Sequence, residues 1–176
     1  DKQDHLGQTA LVHAVLKGHV DIALRLVKAG AAVDPADNKG NTALIYSCIL
    51  GLGPVALAIT EKAAVACVDA RNNNGDTALI CACARGMSDV AIALLRKGND
   101  VNSPNTQGNT ALIRACCKGL DKVAMLLVAK GADVQAQNVA GDTALIGACT
   151  MGLTDPVSLL IKKNADVNKL TKAGIT

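Results

Sequence analysis

Seven cysteines and three histidines are the side chains of this sequence that could act as nucleophiles or bind a metal ion. Four of the thiols form two close pairs, Cys81 with Cys83 and Cys116 with Cys117, and a zinc site built from them is conceivable. On one short helix, however, Cys81 and Cys83 would point about 200° apart, which is poor tetrahedral geometry. We therefore favour the interpretation that most of the cysteines are small apolar core residues.

The histidines do not complete a catalytic or metal site. His5, His13 and His19 are far in sequence from every cysteine, and no two of them have the helical spacing that one metal ion requires. A nucleophilic Cys or Ser needs an adjacent general base, and a phosphate-binding loop needs a Gly-rich turn with a Lys. Neither pattern occurs in the sequence. We therefore predict that the chain is not an enzyme and has no cofactor and no metal site.

A nine-residue stretch recurs along the chain, and it predicts where in the fold the cysteines lie. Its third copy reads Gly75-Asp76-Thr77-Ala78-Leu79-Ile80-Cys81-Ala82-Cys83. In each full copy the Thr should cap a short apolar helix, a later Gly should end that helix, and a second helix should follow. The spacing predicts a solenoid whose units bury their apolar faces against neighbouring units. The glycines that open the copies are 33, 35, 33, 33 and 33 residues apart: Gly7, Gly40, Gly75, Gly108, Gly141 and, for a partial sixth copy, Gly174.

The repeat also predicts the environment of the cysteines. Stacked helices lie about 8–10 Å apart, whereas a disulfide needs Cα atoms within about 7 Å. Equivalent cysteines of successive copies should therefore be unpaired core residues: Cys48, Cys83, Cys116 and Cys149. The other three are expected to be more accessible: Cys67, Cys81 and Cys117. So many unpaired thiols favour a reducing, intracellular setting, the cytoplasm ahead of the nucleus.

This repeat resembles the ankyrin repeat. Gly131-Ala132-Asp133-Val134 and Asn164-Ala165-Asp166-Val167-Asn168 match the signature after the second helix of that family. The Thr-Pro-Leu-His signature of the first helix is altered in every copy to Thr-Ala-Leu followed by Val or Ile, so packing must compensate for the lost His. The resemblance covers essentially the whole chain. It implies an all-α ankyrin-repeat solenoid of stacked helix-turn-helix units joined by β-turn loops, and it says little about the partner.

We predict a single domain, residues 1–176, with an unusual second repeat. That repeat is two residues longer, and we expect its second helix to run on by about half a turn before Val68-Asp69. Residues 40–60 carry no charge, but Gly51-Leu52-Gly53-Pro54 falls at the turn between two helices, which argues against a membrane span. Both termini fall inside a repeat turn, which suggests a fragment without capping repeats. The repeats are predicted at about 4–34, 37–69, 72–102, 105–135 and 138–168, with a partial sixth at 171–176.

The resemblance places a binding surface on the first helices and the turn tips. Tyr46, Ile49 and Leu50 would form an apolar centre within a basic rim, an arrangement that suits an interface. In the alternative interpretation, Tyr46 fills space between repeats and the basic residues complement helix dipoles. The candidate partner-binding residues are Tyr46, Ile49, Leu50, Asp76, Arg85, Asn109, Arg114 and Lys118.

The predicted function is a non-catalytic protein–protein interaction module that binds a peptide or protein partner in its concave groove. The ligand should be an extended segment or a helix with a hydrophobic anchor and acidic residues. Nucleic acid is not expected, because the net charge is only +3 and the sequence has no basic run and no aromatic platform. A monomer is expected, with end-to-end self-assembly and substrate recruitment for a larger enzyme as alternatives. Family resemblance adds a possible hydroxylation of Asn102 or Asn168.

Overall fold

The computed structural model describes residues 2–172, and the chain folds into two compact units, Asp1–Asn99 and Asp100–Thr176. Residues 2–172 contain eleven helices, and their extended pairing is limited to isolated antiparallel bridges beside the caps, such as Ala36 with Thr42. The all-α prediction is therefore confirmed. The exact domain and repeat boundaries stay a prediction, and residues 173–176 of the partial sixth repeat lie outside the described residues.

The first unit arranges its helices in two layers. Helices α1, α3 and α6 pack side by side, α2, α4 and α7 form the second layer, and each first-layer helix packs on the helix that follows it. The core between the layers consists of aliphatic residues such as Leu44, Ile59 and Leu79, all at most 2% exposed. The helices are α1 (Ala10–Leu16), α2 (Val20–Lys28), α3 (Ala43–Leu50), α4 (Gly53–Lys62), α5 (Val65–Val68), α6 (Ala78–Ala84) and α7 (Ser88–Lys97).

The second unit repeats this arrangement with four helices: α8 (Ala111–Cys117), α9 (Asp121–Ala129), α10 (Ala144–Thr150) and α11 (Thr154–Lys162). Helix α8 packs on α10, and α9 packs on α11. Gly147 allows a close approach of α10 to α8, because a Cβ at this position would lie 2.7 Å from Cys117 Sγ. Leu112, Leu127 and Leu160 fill the core of this unit with no exposed surface.

Threonine caps start every first helix, as the sequence predicts. Each hydroxyl oxygen accepts a hydrogen bond from the backbone N–H three residues later, at 3.2–3.3 Å. The bond satisfies one of the amides that the first helical turn leaves without a partner. Asn164, which follows the end of α11, takes the predicted left-handed conformation, with φ 62°. The capping residues are Thr9, Thr42, Thr77, Thr110 and Thr143.

Backbone hydrogen bonds join the turn tips of successive repeats, which are the loops around the glycine that opens each copy. In the first unit the N–H of Asn38 donates to the Leu6 carbonyl (3.0 Å), and that of Asn73 donates to the Lys39 carbonyl (2.9 Å). In the second unit the N–H of Val139 donates to the Gln107 carbonyl at 2.9 Å. These bonds satisfy polar backbone groups that no helix uses, and they fix the register between neighbouring repeats.

The end of the second repeat differs from the expectation. Helix α4 stops at Lys62, Ala63 is extended (φ −63°, ψ 140°), and α5 is a separate single turn. The predicted extension of α4 by half a turn is therefore wrong. Lys97 Nζ donates to the carbonyls of Glu61 (3.1 Å) and Ala63 (3.3 Å), which supplies partners to carbonyls at the end of α4. The two additional residues are taken up by α5 instead.

The uncharged residues 40–60 are divided between α3 and α4 by Gly51, which takes a left-handed conformation (φ 75°). This division agrees with the predicted helix–turn–helix register. Of the helices described, none combines the length and hydropathy that crossing a bilayer requires.

The cysteine predictions hold in part. Cys48, Cys83 and Cys116 are fully buried, as expected, and Cys67 and Cys117 are half-buried. Cys81 is only 7% exposed and Cys149 is exposed, so the predictions for these two residues are wrong. Cys81 lies within α6, where every residue from Ala78 to Cys83 is buried. Cys149 lies on α10, which is the last of the first helices of the repeats among residues 2–172.

Candidate protein-binding surface

An Asp or Asn lies three residues before the glycine that opens each copy, which we call the repeat glycine, and it shapes the turn tip. Its Oδ1 accepts the backbone N–H groups of the residues two and four positions later, at 2.8–3.0 Å. Such a side chain replaces a backbone acceptor and fixes the loop before the first helix. This acceptor role was not predicted from the sequence, although Asp or Asn stands there in all five copies: Asp4, Asp37, Asn72, Asn105 and Asn138.

In the first two repeats the second carboxylate oxygen of this Asp holds a side chain from the first helix. The Tyr46 hydroxyl donates to Asp37 Oδ2 at 2.6 Å, and His13 Nε2 lies 2.9 Å from Asp4 Oδ2. Desolvation, followed by the bond to Asp37, raises the pKa of the Tyr46 phenol. Tyr46 therefore supports its own turn, and part of its side chain stays exposed.

Four of the predicted residues of the first unit come together at the end of α3. Tyr46, Ile49 and Leu50 are three and four residues apart, which places them on one face of the helix. Leu50 is 41% exposed, whereas Tyr46 and Ile49 are half-buried. Arg85 is exposed, and its Nε donates to the Ile49 carbonyl at 2.6 Å. We call Tyr46, Ile49, Leu50 and Arg85 the α3 patch.

Asp76, the remaining candidate of the first unit, is half-buried on the turn before α6. Its backbone N–H donates to Asn72 Oδ1 at 2.9 Å. Burial, and secondarily the negative charge of Asp76, raises the pKa of the Cys81 thiol to about 12. The Cys81 thiol therefore stays protonated near neutral pH and is a poor nucleophile.

In the second unit the structure separates the three candidates by exposure. Arg114 is half-buried on α8, and Lys118, the residue directly after α8, is exposed. Asn109 is only 1% exposed, and its Oδ1 accepts a bond from Asn138 Nδ2 at 2.8 Å. The Asn109 side chain therefore joins two turns and does not face a partner, so we leave it out of the proposed surface. Asn41 joins two turns in the same way in the first unit, where its Oδ1 accepts a hydrogen bond from Asn72 Nδ2 at 2.9 Å.

Arg114 lies in a cleft of about 410 Å³ between two turn tips. Asp142 lines the same cleft, and its Oδ2 accepts from Asn138 Nδ2 at 3.0 Å. The cleft therefore combines one cation with one carboxylate. The other lining residues are Gln107, Asn109, Asn138, Val139 and Ala140.

Two family models match this chain. The model described as ankyrin repeats (3 copies) matches residues 1–66 and 51–138, and the model described as ankyrin repeat matches residues 140–172. The chain belongs to the ankyrin-repeat family. No curated protein matches the sequence. Ankyrin repeats are generally protein–protein interaction modules, and the family is typically non-catalytic.

The ankyrin repeats of this chain compensate for the altered first-helix signature by packing. The side chains that replace the His of the signature are at most 3% exposed in four repeats: Val12, Ile45, Ile80 and Ile113. Burial of an aliphatic side chain is worth about 1.5–3 kcal/mol. Ile146, the fifth, is half-buried.

Two further predictions concern metal binding and modification. Within residues 2–172 no three His, Cys, Asp or Glu residues are grouped where they could hold a metal ion. Asn102 is exposed, but its Nδ2 donates to the Gly131 carbonyl (3.1 Å) and its Oδ1 accepts from the N–H of Asp133 (2.7 Å). Asn168 is exposed. Hydroxylation of either Asn stays a prediction.

Proposed function

We propose that this ankyrin-repeat chain binds a peptide or protein partner non-catalytically, through the exposed face of its first helices and turn tips. The α3 patch is the proposed anchor in the first unit. The observation that carries the proposal is the exposure of Leu50 beside a positioned guanidinium. An exposed aliphatic side chain with an adjacent Arg matches the composition of protein interfaces.

The α3 patch is ordered before a partner arrives. The Arg85 side chain is held at the end of α3 by the Ile49 carbonyl, and its remaining guanidinium donors can still reach a partner. The bond to Asp37 holds Tyr46 in the same way. Ordering in advance reduces the conformational entropy lost on binding. The patch therefore suits a partner segment with an apolar anchor and a neighbouring carboxylate.

The test begins with peptides selected from a display library on the immobilised chain. Their Kd values should rise at least about tenfold with Leu50→Glu, because a charge replaces the apolar contact. Ile22→Glu is the matched control, since Ile22 is a similarly exposed aliphatic residue (52%) on α2 of the same unit. Equal effects of the two substitutions, with helicity unchanged, would contradict the placement of the surface.

Self-association is a second candidate function that one observation favours. Ile161 on α11 is 50% exposed, whereas Val128, one repeat earlier in the same unit, is 5% exposed. An apolar surface is therefore exposed on α11, whereas the equivalent surface of α9 is buried. Sedimentation velocity over a concentration series tests this candidate: association should weaken with Ile161→Glu, and a monomer at every concentration would exclude it.

A further inference from the structure

Arg114 occupies a position whose equivalents in two other repeats have a carboxylate partner. It lies six residues after its repeat glycine, as His13 and Tyr46 do in the first and second repeats. There the Asp of the turn tip bonds the side chain from the first helix, at 2.9 Å for His13 and 2.6 Å for Tyr46. In the repeat of Arg114 the turn-tip residue is Asn105.

Asn105 cannot replace the missing carboxylate. Its Oδ1 already accepts the backbone N–H groups of Gln107 (3.0 Å) and Asn109 (2.9 Å). The atom equivalent to the second carboxylate oxygen is therefore Nδ2, which is a donor, and a guanidinium group also only donates. Among the residues that the structure describes, no side-chain hydrogen bond and no ion pair within 4.0 Å involves Arg114.

The surroundings of Arg114 favour an anionic ligand at this point. The side chain is half-buried in its cleft, where a charge is screened less than at the open surface. Exposed Lys118, the residue directly after α8 and four positions after Arg114, adds a second positive charge. Asp142 on the opposite turn is close to the same cleft and would accept a bond from an N–H donor of the ligand.

We propose that the Arg114 cleft binds the carboxylate of a glutamate or aspartate in an extended acidic segment of the partner. The carboxylate occupies the place that Asp4 and Asp37 take toward His13 and Tyr46, and it can pair with the guanidinium through two parallel hydrogen bonds. A backbone N–H of the segment faces Asp142. The inference rests on the proposed function and adds to it the chemical class of residue that the second unit recognises.

The test uses two short peptides as probes, acetyl-Ala-Glu-Leu-Glu-Ala-amide and the analogue with Gln in place of both Glu. Binding is followed through the Nε–H resonance of Arg114 by NMR titration of the whole chain. The Glu peptide should shift this resonance and bind at least about tenfold more tightly than the Gln peptide. Equal binding of both peptides, or no shift at about 5 mM Glu peptide, overturns the inference.

A substitution at Asn105 tests the mechanism without removing the cation. Asn105→Asp supplies a carboxylate within the chain, so it should weaken binding of the Glu peptide about tenfold, as Arg114→Gln does. The turn tolerates Asp, because Asp4 and Asp37 make the same backbone bonds. Arg96→Gln, at an exposed position of α7, is the charge-matched control and should leave the Kd within about twofold.

The outcomes separate this inference from the proposed function. Unchanged binding in the Asn105→Asp variant overturns the inference even if Arg114→Gln weakens binding. In a second outcome, binding of the display-selected peptides depends on Leu50 but the Glu and Gln peptides bind equally. That outcome supports the proposed function and refutes only the Arg114 site.

Discussion

Gly108→Ala should destabilise the second unit much more than Gly131→Ala. Both glycines have left-handed backbones, with φ 75° and 86°, so an alanine costs about 1–2 kcal/mol at either position. A Cβ on Gly108 would also lie 3.0 Å from Asn138 Cα, whereas a Cβ on Gly131 would meet no atom within 4 Å. The neighbouring turn cannot move away freely, since the Val139 N–H is bonded to the Gln107 carbonyl at 2.9 Å.

The clash adds an overpacking cost of about 1–3 kcal/mol, so the expected loss is about 2–5 kcal/mol for Gly108→Ala and about 1–2 kcal/mol for Gly131→Ala. Urea unfolding followed by circular dichroism at 222 nm gives both free energies by linear extrapolation. As a control, the circular dichroism of both variants without urea should show the native helicity. Equal losses would refute our reasoning that close backbone contact between turn tips holds neighbouring repeats in place.

Three further predictions concern single side chains. Thr110→Ala removes a helix cap and should cost about 1 kcal/mol in the same urea assay. Tyr46→Phe removes the hydroxyl that donates to Asp37 Oδ2 and should cost about 1 kcal/mol at pH 7. Because the folded pKa of Tyr46 is raised above its ordinary value near 10, this difference in unfolding free energy is fully present below pH 10 and should shrink when the urea titrations are done above it. An alkylating reagent at pH 8 should modify the exposed Cys149 before Cys116, whose pKa burial raises to about 12, and peptide mass spectrometry reports the order.

The sequence was sufficient for features that depend on a few consecutive residues. Thr77 and the apolar run after it predict the cap and the first residue of α6, since capping is a local interaction. The left-handed Asn164 follows in the same way from its position at the end of a helix.

Features that depend on a neighbouring repeat were predicted less well. Cys149 stands at the same repeat position as Cys116, yet one is exposed and the other buried, because burial depends on the element packed against that position. Asn109 could not be distinguished from a surface residue until its bond to Asn138, 29 positions later, was known. The pairing of Tyr46 with Asp37 likewise requires the folded turn, which brings residues nine positions apart together.

The hydrogen bonds between repeats have a narrow range of sequence separations. They join residues from 29 positions apart, as Gln135 with Asn164, to 36 positions apart, as Arg85 with Ile49. Within each unit, successive repeats thus complete their hydrogen bonding with one another. Duplication or deletion of a whole repeat within a unit would recreate the same kinds of bond at the new junction, so the number of repeats can change in evolution without the invention of a new interface.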